Sequence, residues 1–182
     1  RDTNNYRWAF PPKMNISTLN VDTKEFTPLV TDDEHYIAEG SWSPDSRHVV
    51  YCSLATGSGD IYITDLQTNT SRIIVGAEGY DGGPFFSPDG KRIVYRSDRR
   101  GNDLLQLFVA ELKFDESGAI VGITNEFQLT DNPHVNWGPF WHPNNRFVIY
   151  ATSEISHRNY ELYVCDADTG NSDGTVRYGI RK

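Results

Sequence analysis

FFSPDGKRIVYRS, residues 85–97, has two counterparts in the same chain: SWSPDSRHVVYCS from Ser41 and FWHPNNRFVIYATS from Phe140. Self-similarity at a spacing of tens of residues marks a chain assembled from stacked copies of one supersecondary unit, so it bears on the architecture before any single residue is weighed. Pro44, Pro88 and Pro143 stand 44 and 55 residues apart, and Tyr51, Tyr95 and Tyr150 repeat both intervals. Downstream of each copy, DIYITDLQTNTSRIIV from Asp60 is echoed by YELYVCDADTG from Tyr160 and by NISTLNVDTKEFTPLV from Asn15, which places Asn20, Asp65, Glu111 and Asp166 in one column. Tyr6 precedes Asn20 by the same 14 residues that separate Tyr51 from Asp65, so a copy lacking its beginning is expected ahead of the three complete ones.

Each copy reads as four short strands, A to D. In the second, Pro84 to Phe86 is strand A and Ser87 to Lys91 a turn, in which Pro presets φ, Asp accepts backbone N–H bonds and Gly takes positive φ. Arg92 to Ser97 is strand B, Asp98 to Asp103 a polar loop, Leu105 to Leu112 strand C and Glu126 to Thr130 strand D. β-Branched and aromatic runs bounded by Gly, Pro, Asn and Asp are strand signals, and no stretch carries helical periodicity. The longer interval comes from KFDESGAIVGITNE at Lys113, whose Asp115 to Gly118 turn lengthens the C–D hairpin.

Four-stranded units of about 40 to 45 residues are the blade period of β-propellers. The expected fold is all-β: antiparallel four-stranded blades at about 34–77, 78–132 and 133–182, a partial blade at 1–33, and a larger propeller of which this chain is part. A four-blade ring closed imperfectly is the rival. An open arc would expose two blade faces meant for neighbours, so another chain or a missing segment is expected to cover them.

PFFSPDGKRIVYRSD resembles the repeat of TolB-type, WD-repeat-like propellers, which also supply the non-catalytic domains of prolyl oligopeptidase, dipeptidyl peptidase and tricorn-type proteases. Ser87, Pro88, Asp89, Gly90, Lys91 and Tyr95 all match. The first copy has Ser46 in the glycine slot, and the third has His142, Asn144 and Asn145 in place of Ser, Asp and Gly. Asn still caps a turn and tolerates left-handed backbone. The resemblance implies a bacterial, periplasmic or extracellular setting and a binding platform, although such propellers also serve as gates and as enzymes.

A net charge of −8 argues against a nucleic-acid platform, which needs clustered Lys and Arg. Arg96, Arg99 and Arg100 are the notable basic group and read as a solvated loop. No apolar run is long enough for a transmembrane helix. Cys52 and Cys165 fall in non-adjacent blades and read as buried free thiols. Asn15 and Asn69 match glycosylation acceptors, a pattern common by chance.

Candidate site residues come from the D-to-A and B-to-C loops, which open on the channel face. His35 and His134 share a column, Asp81 and Asn136 another, and Glu39 and His157 reach the same side. As ligands of a divalent metal, His35, His134 and His157 would support a metal-assisted polysaccharide lyase or hydrolase, the analogy being oligogalacturonate lyases. The plainer reading makes them turn formers and rim hydrogen-bonders. No Gly-x-Ser-x-Gly elbow is present, so a serine peptidase would need its catalytic domain elsewhere, with this chain as the gate. Trp137 replaces the small Ala38 and Gly82 of the other copies, and with His134 and Asn136 makes the preferred binding patch. Trp42, Phe86 and Trp141 form a column expected to pack between blades. The adopted reading is a scaffold for a protein or peptide, with a glycan as the other ligand class, no nucleic acid and no required cofactor.

Overall fold

A computed structural model of the chain describes residues 10–167, together with the strand backbone of 177–180. The described residues form strands and turns without a helix. β1 (Ile16–Leu19) and β2 (Phe26–Val30) make a two-stranded sheet. Blade 1 follows as β3 (Ile37–Trp42), β4 (His48–Ser53), β5 (Asp60–Asp65) and β6 (Thr70–Val75). Blade 2 is β7 (Asp81–Phe86), β8 (Arg92–Ser97), β9 (Gln106–Phe114) and β10 (Ile120–Gln128). Blade 3 is β11 (Asn136–Trp141), β12 (Phe147–Ser156), β13 (Asn159–Asp166) and β14 (Arg177–Ile180). In each blade the strands lie in chain order and pair antiparallel, which is the all-β propeller architecture, here as an open arc.

The A-to-B turns show why three different sequences give one shape. Gly90, Ser46 and Asn145 all have left-handed backbone, with φ of 71°, 60° and 62°. Asp89 Oδ1 accepts from Lys91 N at 3.1 Å, Asp45 Oδ1 from Arg47 N at 3.0 Å, and Asn144 Oδ1 from Arg146 N at 3.0 Å. The column of Asp65 and Asp166 also has a structural meaning. Arg47 donates to Asp65 Oδ2 at 2.7 Å, and Arg146 donates to Asp166 Oδ2 at the same distance, each closing strand C on the A-to-B turn.

Apolar side chains fill the seams between blades. Val50, Ile61 and Ile63 of blade 1 pack with Phe86, Ile93 and Tyr95 of blade 2. Val94, Leu107 and Val109 on the other side of blade 2 pack with Trp141, Val148 and Tyr150 of blade 3. Each strand of blade 2 therefore serves two seams through its alternating faces. Cys52 and Cys165 are both buried, in different blades.

Three expectations need correction. Phe86 and Trp141 are buried between blades, but Trp42 is 46% exposed, because the sheet ahead of it among the described residues has two strands instead of four. Strand A of blade 2 begins at Asp81 rather than Pro84, since a bulge between Gly82 and Phe85 lets the pairing continue. The inserted residues after Lys113 join the ladder, so strand D begins at Ile120 and the hairpin grows outward. Tyr6 lies outside the described residues.

Candidate functional site

β3, β7 and β11 form one edge of their sheets and pack against one another from blade to blade. Each carries a bulge at the same place, between Ala38 and Ser41, Gly82 and Phe85, and Trp137 and Phe140. The residue inside the bulge has left-handed backbone: Gly83 at φ 57°, Gly138 at φ 56°, and in blade 1 Glu39 at φ 61°. A non-glycine residue there costs on the order of 1–3 kcal/mol, so its persistence points to what its side chain does.

The Glu39 carboxylate reaches across the seam into blade 2. Oε2 accepts from Tyr80 Oη at 2.6 Å and from the Gly83 backbone N–H at 2.7 Å, and Oε1 pairs with the Arg96 guanidinium. Arg96 is 3% exposed, and its Nε has no hydrogen-bond partner among the described residues. Its guanidinium carbon lies 3.7 Å from the ring centroid of Trp137 in blade 3 and 5.7 Å from that of Tyr80. Glycine at position 83 is favoured twice, by its φ and because a Cβ there would press on the Arg96 guanidinium. Carboxylate, guanidinium and indole thus form one chain through three blades. Burial pushes the Tyr80 phenol and the nearby Cys52 thiol well above their usual ranges, so both stay protonated.

A second cluster lies alongside. Arg99 donates to Glu126 Oε2 at 2.6 Å, approaches Asp81 Oδ1 at 3.4 Å and covers the Phe108 ring at 4.0 Å. Asp81 is fully buried, which raises its carboxyl above the usual range. The solvated-loop reading therefore holds for Arg100, which pairs with Asp131 at a half-exposed position, and fails for Arg96 and Arg99. Sequence reasoning missed these two because their partners Glu39 and Glu126 are remote in sequence.

The remaining candidates separate. His35 pairs through Nδ1 with Asp32 in its own loop at 2.9 Å, and His157 is exposed, its ring set edge-on to Tyr160. Asn136 is buried in an amide network, donating through Nδ2 to Leu105 O at 3.0 Å and to the His134 carbonyl at 3.3 Å. Among the described residues no group of three or more His, Cys, Asp or Glu side chains is arranged to hold a metal ion, and His35, His134 and His157 do not assemble into one. A groove of about 650 Å³ opens on the loop side, between Leu54 and Gly57–Gly59 on one wall and Asp98–Gly101 on the other. Phe10 lies at its end, 5.2 Å from the Tyr36 ring and 5.3 Å from Tyr80.

Four-stranded blades joined by a chain of side chains along their inner strands define a β-propeller. A family model described as the TolB beta propeller domain matches residues 11–121, and the chain belongs to that family. An uncharacterized protein of Agrobacterium fabrum, Atu1656, is 29% identical over 136 residues, covering 71% of this chain and 43% of that protein. Dipeptidyl-peptidase 5 of Porphyromonas gingivalis is 44% identical over 89 residues, covering 42% of this chain and 13% of the peptidase. The crystal structure of TolB from Acinetobacter baumannii superposes with a TM-score of 0.69 at 20% identity, covering 92% of this chain and 37% of that one. The chain thus spans less than half the length of each.

Proposed function

We propose that the chain is part of a non-catalytic propeller that binds a protein or peptide segment on its channel face, in the periplasm or outside the cell. The observation that carries this reading is the Glu39–Arg96–Trp137 chain, which holds an indole at the inner edge of blade 3 against a buried cation. An aromatic fixed in advance loses little entropy on contact, which is what a binding surface requires. The neighbouring ionisable groups engage one another, Arg99 with Glu126 and Asp81, and His35 with Asp32, an arrangement that suits a rigid wall better than general acid–base work. Trp137, with Asn136 and His134 next to it in sequence, is the centre of the proposed contact, and Glu39 supports it through Arg96. The reading needs no cofactor.

The test uses the polypeptide encoded by the complete gene. Its partner is identified by crosslinking in the native host, and binding is remeasured with purified components for Trp137→Ala. Loss of at least tenfold in affinity with an unchanged circular dichroism spectrum is expected. Turnover of oligogalacturonate with added divalent ions would overturn the non-catalytic reading, and turnover of dipeptidyl chromogenic substrates would make this chain the gate of a peptidase whose catalytic domain lies elsewhere. Unchanged affinity would remove Trp137 from the contact, and capture of a glycan instead of a protein would replace the partner class.

A further inference from the structure

The long C–D hairpin of blade 2 is fastened at its tip to blade 1 by two consecutive residues. Arg47 donates to the Ser117 carbonyl at 2.6 Å while holding Asp65, and the Ile120 backbone N–H donates to His48 Nε2 at 3.2 Å. His48 is 1% exposed, so this bond lies inside the seam, where Ile120 packs with Ile61, Ile63 and Ile74. An Nε2 that accepts is unprotonated, which places the proton on Nδ1, and Nδ1 is buried without a hydrogen-bond partner among the described residues.

The charged groups facing the ring are few. Asp65 on β5 has Oδ2 3.8 Å from Nε2 and shares that oxygen with Arg47. Asp45, in the A-to-B turn, lies near enough to act on the ring, as does the guanidinium of Arg47. From the hairpin side the ring meets the Ile120 amide, while Asp115 is turned to Ser117 and Ala119 within its own turn.

We propose that His48 is a proton-operated latch on this hairpin: neutral, it accepts from Ile120 and holds the tip against blade 1; protonated, it has no lone pair left to accept, and the tip is released. In the imidazolium both ring nitrogens donate, so the Ile120 N–H would face an N–H, and Nε2–H would turn to the nearby Asp65 oxygen. Burial holds the His48 imidazole below its usual range, against the opposite pull of Asp65 and Asp45. The sign follows from that direction. The released form binds a proton more readily than the latched form, so latching is complete above the ordinary histidine range of about 6.5 and weakens as pH falls below it. Release would uncover the apolar rim of blade 1 while the inner strands stay paired.

Amide hydrogen exchange on the full chain at pH 7.5 and 5.5, corrected for intrinsic rates, tests the latch. The opening constant at Ile120 should rise about tenfold at the lower pH, while Val94 in β8 stays protected. His48→Gln, whose side-chain carbonyl accepts without titrating, should flatten that response and keep the hairpin closed. Equal responses in wild type and variant, or loss of protection at Val94 in step with Ile120, would overturn the proposal. If His48→Gln does not fold, nitrogen NMR of the wild-type ring at pH 7.5 decides: a protonated Nδ1 with bare Nε2 supports the latch, and the opposite tautomer overturns it.

Discussion

The guanidinium of Arg96 lies 3.7 Å over the ring of Trp137 in the next blade and meets the carboxylate of Glu39 in the preceding one. A buried cation thus has its charge balanced from one side and its face covered from the other. Removing the cover should cost less than removing the charge. Trp137→Ala is expected to lower unfolding free energy by about 2–3 kcal/mol, with Trp137→Phe recovering part of the loss, as read from urea unfolding.

Glu39→Gly separates two opposing effects. Glycine relieves the left-handed backbone by about 1 kcal/mol, but leaves Arg96 charged and buried without its partner, a cost of about 3–5 kcal/mol. A net loss of about 2–4 kcal/mol is expected. Adding Arg96→Met should recover more than half of it, and a double-mutant cycle that finds the two changes additive would dismiss the coupling.

The A-to-B turns give a prediction of opposite sign. Ser46 and Asn145 hold left-handed backbone that Gly90 adopts freely. Ser46→Gly should raise stability by up to about 1 kcal/mol, while Asn145→Gly gains less because Asn145 Oδ1 accepts from Asp89 N at 2.8 Å, and Gly90→Ala lowers stability by about 1 kcal/mol or more, all measurable as shifts in Tm.

Asp65 provides a pH signature separate from His48. The hydrogen bond from Arg47 holds its carboxyl down at about 2, below the usual value of 3.8. A carboxylate depressed in the fold stabilises above its unfolded value and loses that contribution as pH falls toward the folded one. Stability should therefore decline between about pH 4 and pH 2 in the wild type, and Asp65→Asn should remove this part of the slope.

Phe140, Ile149 and Val164 stand side by side across β11, β12 and β13, and the equivalent Phe85, Val94 and Val109 of blade 2 pack into the seam with blade 3. In blade 3 Phe140 is 58% and Leu162 42% exposed. The 182-residue chain should accordingly self-associate, and Leu162→Glu should shift its sedimentation toward the monomer.

What could be read in the sequence is what repeats. Strand order, the turn slot shared by Ser46, Gly90 and Asn145, and the column of Asp65 and Asp166 all follow from local rules applied three times. The site was legible only in part. Trp137 stood out as a departure from its column and Glu39 was placed on the channel side, but Arg96 read as a loop cation, because burying it depends on a carboxylate 57 residues away and an indole in another blade. The histidines share a column, yet a column fixes position within a blade and says nothing of the distance between blades.

The insertion in blade 2 leaves the pairing of its inner strands in step with the others: Asp81 faces Ser97 as Ile37 faces Ser53 and Asn136 faces Thr152. All of its extra length runs outward past Glu111. A propeller built this way can change its circumference without changing its axis, so variation between relatives can accumulate at the periphery while the geometry around the channel is inherited intact.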